Sequence, residues 1–131
     1  MKRVAVTEIY EDGQPIIKQG THGEGTYVIL SGSVAIKIKV DGVDITVATL
    51  NKGDIFGHMS FIDKQPRSAT AVSIGQTKVG IFDMDYLENE INKTSEDFRM
   101  IIKALTERLR ETTSKMVSLT AKYYKLTGKT E

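Results

Sequence analysis

The sequence predicts a mainly β fold with α: an antiparallel β-roll, jelly-roll-like, followed by a short helix and a long C-terminal helix. Three observations carry that reading. Short runs rich in β-branched residues fill positions 4 to 83. One of them, SVAIKIKV, sets Val34, Ile36, Ile38 and Val40 against Ala35, Lys37 and Lys39, the period of two that gives a strand one buried face. Glycines at 13, 20, 23, 25, 32, 53 and 75 punctuate the runs, as turns do in a small closed roll or sandwich. From Met84 onward Val, Thr and Gly thin out and a helical period takes over.

Taken in order, VAVTEI, PIIKQG, TYVILSG, SVAIKIKV and VDITVATL read as strands, the last two separated by Asp41-Gly42, a hairpin signal of type I′ kind. MDYLENEINK reads as a short helix. Thr94 and Asp97 then form a capping pair, because an N-cap hydroxyl accepts from the third helical N–H. No proline or glycine stands between Thr94 and Leu126, so a helix running to about Lys125 is expected. The chain of 131 residues reads as one domain, residues 1–131, with the roll at about 4–83 and the helices at about 84–126.

Composition excludes several classes. The net charge is +1, with acidic and basic residues interspersed, so no block of charge points to a nucleic-acid arm or a membrane patch. There is no cysteine, which removes disulfides, thiolate metal sites and cysteine nucleophiles. The opening MKRVAVTEIYEDG lacks the pattern of a signal peptide, and no apolar run approaches the roughly 20 residues of a membrane helix. A soluble cytoplasmic protein is expected. The two histidines, His22 and His58, have no ligand spacing and no serine has an evident base, so neither a metal site nor an enzyme is expected.

The long helix carries a second signal. Phe98, Ile102, Leu105, Leu109, Thr112, Met116, Leu119, Tyr123 and Leu126 are spaced four, three, four, three, a heptad seam. A helix ~45 Å long at 1.5 Å per residue outreaches a roll of this size. Packing on its own roll accounts for Phe98 to Leu105 and poorly for Met116 to Leu126. The seam therefore predicts a homodimer through Ile102, Leu105, Leu109, Met116, Leu119 and Tyr123.

The stretch Gly53 to Ala71, GDIFGHMSFIDKQPRSATA, carries the chemistry. Gly57 lets backbone approach a ligand closely, His58 to Ile62 make a helical turn with unpartnered first N–H groups, and Pro66 fixes the loop before Arg67. A guanidinium there can pair with phosphate oxygens through two parallel hydrogen bonds, and Ser68 adds a hydroxyl.

This stretch resembles the phosphate-binding cassette of cyclic-nucleotide-binding domains, through Phe56-Gly57 and Pro66-Arg67-Ser68-Ala69 at the family's spacing. IIKQG followed by EGTYVILSGSVAI resembles the family's second stretch, with Gly20, Gly25 and Gly32 in place. LTERLRETTSKMVSL is similar to the dimerising helix of the bacterial cAMP-receptor proteins, whose sensor domain this chain resembles without their DNA-binding domain. The resemblance implies that Arg67, with the N–H groups of Ser60 and Ser68, holds a cyclic phosphate. It implies that Gly57 and residue 58 hold the ribose, and that Thr112 and Thr113 contact the base, the latter from a partner chain. It implies a dimeric, non-catalytic sensor of cAMP, or of cGMP, that acts on a protein effector and has no cofactor. The sequence departs from the family at His58, where a glutamate usually accepts from the ribose 2′-OH. That loss costs about 1.5–3 kcal/mol, roughly 10- to 150-fold in affinity, and a neutral histidine can still accept one bond from the hydroxyl, so weakened binding is expected. A protonated imidazole there would favour phosphate, so affinity is expected to rise as pH falls. The alternative reading is a degenerate domain without nucleotide, kept for dimerisation or protein docking. Because the chain ends at KLTGKTE with no recognition helix, direct DNA binding is not expected.

Overall fold

The computed structural model describes residues 4–128. In chain order it contains β1 (Val4–Tyr10), β2 (Pro15–Ile17), β3 (Tyr27–Val40), β4 (Val43–Asn51), β5 (Ile55–Phe56), α1 (His58–Asp63), β6 (Thr70–Phe82), α2 (Met84–Asn92) and α3 (Glu96–Thr127). The sheet is antiparallel throughout, in the order β1-β6-β3-β4, with β2 also on β6 and β5 also on β3. The β-roll with its two following helices is thus present. Among the described residues the strand path ends at β1 and β4 without the closure that the glycine spacing suggests.

Two glycines expected to break strands bend them instead. TYVILSG and SVAIKIKV form the single fourteen-residue strand β3, which runs through Gly32 at φ 89°. Its register with β6 shifts between Ile29 and Ser33, the signature of a bulge. A Cβ at Gly32 would lie 2.6 Å from Thr77 Oγ1 and 2.7 Å from the Gln76 carbonyl, so only glycine fits. The fully buried Thr77 hydroxyl donates to the Ser33 carbonyl at 2.9 Å and replaces ladder bonds lost at the bend. Gly75 similarly lies inside β6. Asp41 and Gly42, at φ 52° and 78°, make the expected tight turn between β3 and β4.

The bend divides the apolar interior into two clusters. Ile17, Ile29, Val34, Phe56, Ala71 and Val79 fill one, and Tyr27 stacks on Phe56 at 5.1 Å between ring centroids. The other brings Ile38, Val43 and Ile45 of the β3–β4 hairpin against Val117 and Ala121 of α3. The second half of α3 packs on its own roll through Val117 and Ala121, which lie off the seam, while Met116, Leu119, Tyr123 and Leu126 stay exposed as expected; Phe98 and Leu105, expected against the roll, are exposed instead. Val117 and Ala121 are small enough for the helix to approach the sheet closely. This roll-facing stripe escapes a heptad search because it is mixed, with Thr106, Arg110 and Thr113 between the apolar positions.

The helix start also shifts by one residue. Ser95, rather than Thr94, is the N-cap of α3 and accepts from the Phe98 N–H at 3.1 Å. Thr94 donates instead to the Ile91 carbonyl at the end of α2. Gly128, left-handed at φ 70°, follows the last turn of α3. No helix among the described residues is long and apolar enough to cross a membrane.

Candidate functional site

The cassette wraps one end of the roll. Gly57 caps α1 in the left-handed region at φ 82°, where a Cβ would sit 2.6 Å from the Gly25 carbonyl and 3.1 Å from Arg67 Nη1. That contact brings the 20–26 loop, α1 and Arg67 together. Arg67 is only 8% exposed, and its guanidinium donates to the Gly57 carbonyl at 2.8 Å and the Gly25 carbonyl at 3.0 Å. Burial lowers its pKa, with Tyr27 and Glu24 pulling the other way. Two backbone carbonyls thus already accept from it, although neither supplies a counter-charge. A guanidinium has five N–H donors, so three stay free for an anion.

A cavity of about 130 Å³ lies beside this arginine, lined by Gly57, Ser60, Arg67 and Ser68 over a floor of Ile17, Ile36, Phe56 and Ala71. A second, of about 450 Å³, adjoins it, sharing Ile36, Met59, Ser68 and Ala69, and runs beneath α3 to Leu109, Arg110, Thr113, Ser114 and Val117. One lobe is thus small and cationic, and the other is roomier and mostly apolar with a few hydroxyls. This is the composition of a small-molecule site.

The structure brings together Gly57, Ser60, Arg67, Ser68 and Thr113 around these two lobes. It places Thr112 elsewhere. Thr112 is exposed on α3 and lines neither lobe, because adjacent helical residues point about 100° apart. Ser114 and Arg110, which sequence reasoning did not select, line the larger lobe beside Thr113. Their signal was present in the spacing, since 110, 113, 114 and 117 share one helical face. His58 is exposed and lines neither lobe, although the protein packed round its ring lowers its pKa by desolvation.

Arg110 links the site to α3. Its guanidinium engages both carboxylate oxygens of Asp63, donates to Ser60 Oγ and reaches the Pro66 carbonyl. Asp63 is buried, which alone would raise its pKa. Hydrogen bonds from Arg110 and the Gln65 N–H outweigh burial and leave it below the ordinary carboxylate value. On the rim, Lys64 Nζ joins Glu24 of the glycine loop to Glu88 of α2, at 2.9 and 2.7 Å.

The expected seam is placed as follows. Leu105, Leu109, Met116, Leu119 and Tyr123 are all exposed, between 46% and 67%. Ile102 is half-buried and turns toward Phe61, Ile62 and Ile91, while Ile101, 56% exposed, continues the outer stripe in its stead.

Comparison with known proteins agrees with this geometry. The sequence profile described as the cyclic nucleotide-binding domain matches residues 7–94. The cyclic AMP receptor protein of Thermus thermophilus is 38% identical over 81 residues, covering 60% of this chain and 38% of that protein. The type II regulatory subunit of cAMP-dependent protein kinase from Drosophila melanogaster is 30% identical over 83 residues, covering 63% of this chain and 21% of the relative. Among solved structures, the Thermus thermophilus catabolite activator protein superposes with a TM-score of 0.64 at 32% identity, over 88% of this chain and 55% of that one. The EAL enzyme Bd1971, with cAMP and cyclic-di-GMP bound, gives a TM-score of 0.80 at 26% identity, over 88% of this chain and 31% of that one. The chain spans well under half the length of these two sequence relatives. With the profile matched over two thirds of its length and the cassette arginine set into the cavity, this chain belongs to the cyclic nucleotide-binding domain family.

Proposed function

We propose that this chain is a non-catalytic regulatory domain that binds a cyclic nucleotide, cAMP before cGMP, and signals as a cytoplasmic homodimer through α3 to a protein effector. The observation that carries this reading is the pair of adjoining lobes, one holding Arg67 and the other roofed by α3. A cyclic phosphate would take the free donors of Arg67 with Ser60 and Ser68 beside it, and a purine would lie in the larger lobe against Thr113 and Ser114. The names of the sequence relatives support cAMP. A ligand touching both the cassette and α3 would favour one packing of that helix over another, as far as its affinities for the two packings differ. The exposed apolar stripe of α3 supports the dimer, with Thr112 at its centre rather than against the chain's own ligand.

A second reading, a docking domain that binds no nucleotide, is favoured by the two carbonyl bonds of Arg67, which leave the guanidinium satisfied without an anion. Titration calorimetry with cAMP and with cGMP separates the two. The sensor reading expects micromolar binding that is lost in Arg67→Ala. Absence of heat with both nucleotides would leave the docking reading.

A further inference from the structure

One hydrogen bond crosses from the lining of one lobe to the lining of the other. Ser60 of α1 is 3% exposed and lines the Arg67 lobe. Arg110 of α3 lines the larger lobe. Arg110 Nη2 donates to Ser60 Oγ at 3.3 Å, which uses the hydroxyl as an acceptor and leaves its proton to be donated. Among the described residues no acceptor is paired with that proton. Arg110 is itself held in one orientation, by its fork on Asp63 and its reach to the Pro66 carbonyl. Burial lowers the pKa of Arg67, and the charge of Arg110 adds to that, so the two guanidinium groups repel each other across Ser60. An anion in the Arg67 lobe offsets that repulsion.

We propose, on the cyclic-nucleotide reading above, that the Ser60 hydroxyl is a direct ligand of the phosphate and that Arg110 is the positioning residue that aims it, so that one serine joins the anion to α3. Accepting from a cation polarises the Ser60 O–H and strengthens the bond it donates to a phosphate oxygen. The coupling is reciprocal: whatever the hold of α3 on Ser60 adds to anion affinity, the bound anion returns to the clamp of α3 on α1.

The test is a double-mutant cycle on cAMP affinity, by titration calorimetry of the full chain with Ser60→Ala, Arg110→Lys and both together. Lysine keeps a cation against Asp63 but lacks the planar fork that serves Asp63 and Ser60 at once. Each single variant should bind about tenfold more weakly, the low end for a hydrogen bond to a charged group. The double variant should bind about as weakly as either one alone, rather than about a hundredfold more weakly. A general loosening of the fold by Arg110→Lys would instead weaken the Ser60→Ala protein as much as the unaltered one. Should Arg110→Lys fail to fold by circular dichroism, the paired variant Asp63→Asn with Arg110→Gln removes both charges together and carries the same expectation. Unchanged affinity in either single variant, or losses that multiply in the double, overturns the inference and leaves the cyclic-nucleotide reading standing. Absence of cAMP binding in the unaltered protein overturns that reading, and the inference with it.

Discussion

Arg110 of α3 grips both carboxylate oxygens of Asp63 in α1, and the same guanidinium reaches the Ser60 hydroxyl inside the cassette. The Asp63 side chain is 2% exposed and that of Arg110 18%. The short helix next to Arg67 is therefore tied to the long helix by a fork of charge-assisted bonds rather than by apolar packing alone.

Removing one partner of such a pair leaves the other charge uncompensated. Asp63→Ala should destabilise the fold by about 3 kcal/mol. Its melting temperature should fall by roughly 10 °C, as read by calorimetry or circular dichroism. The pH dependence follows from the lowered pKa of Asp63. The unfolded chain, titrating near the ordinary value of 3.8, binds the proton first, so this stabilisation is present above that pH and is lost as pH falls through the folded-state value. Asp63→Asn should flatten the acid limb of the stability profile; an unchanged limb would remove the pair from the account of acid unfolding.

Gly57 admits no side chain. Its φ of 82° disfavours any L residue by about 1–2 kcal/mol, and the Cβ of Gly57→Ala would meet the Gly25 carbonyl at 2.6 Å. The 20–26 loop and α1 must then part, and Arg67 loses one of its two carbonyl acceptors. Gly57→Ala should lower both stability and nucleotide affinity, the latter measured on folded protein at low temperature.

Neighbouring residues on α3 should separate dimerisation from folding. Leu119 is 67% exposed, and Val117 is 2% exposed against Ile38, Val43 and Ile45. Leu119→Lys should leave the melting temperature of the monomer nearly unchanged while sedimentation velocity shows the dimer lost. Val117→Ala should do the reverse, costing about 2 kcal/mol through lost burial and a residual cavity while the dimer persists. A dimer that survives Leu119→Lys together with Leu109→Lys would place the interface elsewhere.

A pH dependence of cAMP binding is predicted from His58. Desolvation holds its pKa below the ordinary value of 6.5, so the free protein takes up this proton only in more acidic solution. Affinity for cAMP should be flat from mildly alkaline pH down to about 6.5 and rise only below it, as the imidazolium adds a positive charge at the N-terminal end of α1. The same titration on His58→Gln should show no rise.

Much of the site was legible because its residues are sequence neighbours. Gly57, Ser60, Arg67 and Ser68 fall within twelve positions of one another, and their backbone constraints are local: a left-handed glycine, a short helical turn and a proline-fixed loop. The same locality made the β3–β4 hairpin, the short α2 and the length of α3 readable from turn chemistry and period.

Where strands bend and what a helix face meets are decided by residues far apart in sequence. Nothing local in Gly32 tells a strand break from a bulge; the distinction lies in Thr77, forty-five positions on, whose hydroxyl repairs the ladder there. The resemblance gave Thr112 to the chain's own ligand and Thr113 to a partner's, and the docking of Val117 and Ala121 on the hairpin reverses this, turning Thr113 toward the chain's own lobe and Thr112 away from it. The fork between Asp63 and Arg110 spans forty-seven positions and joins two helices of unrelated pattern. The sequence by itself determined the elements and the local cassette, because dihedral preference and hydrophobic period act within a few residues. The tertiary structure alone decided which face of α3 packs over the larger lobe and the hairpin and which stays exposed, because that choice rests on shape complementarity between surfaces that the chain order does not bring together.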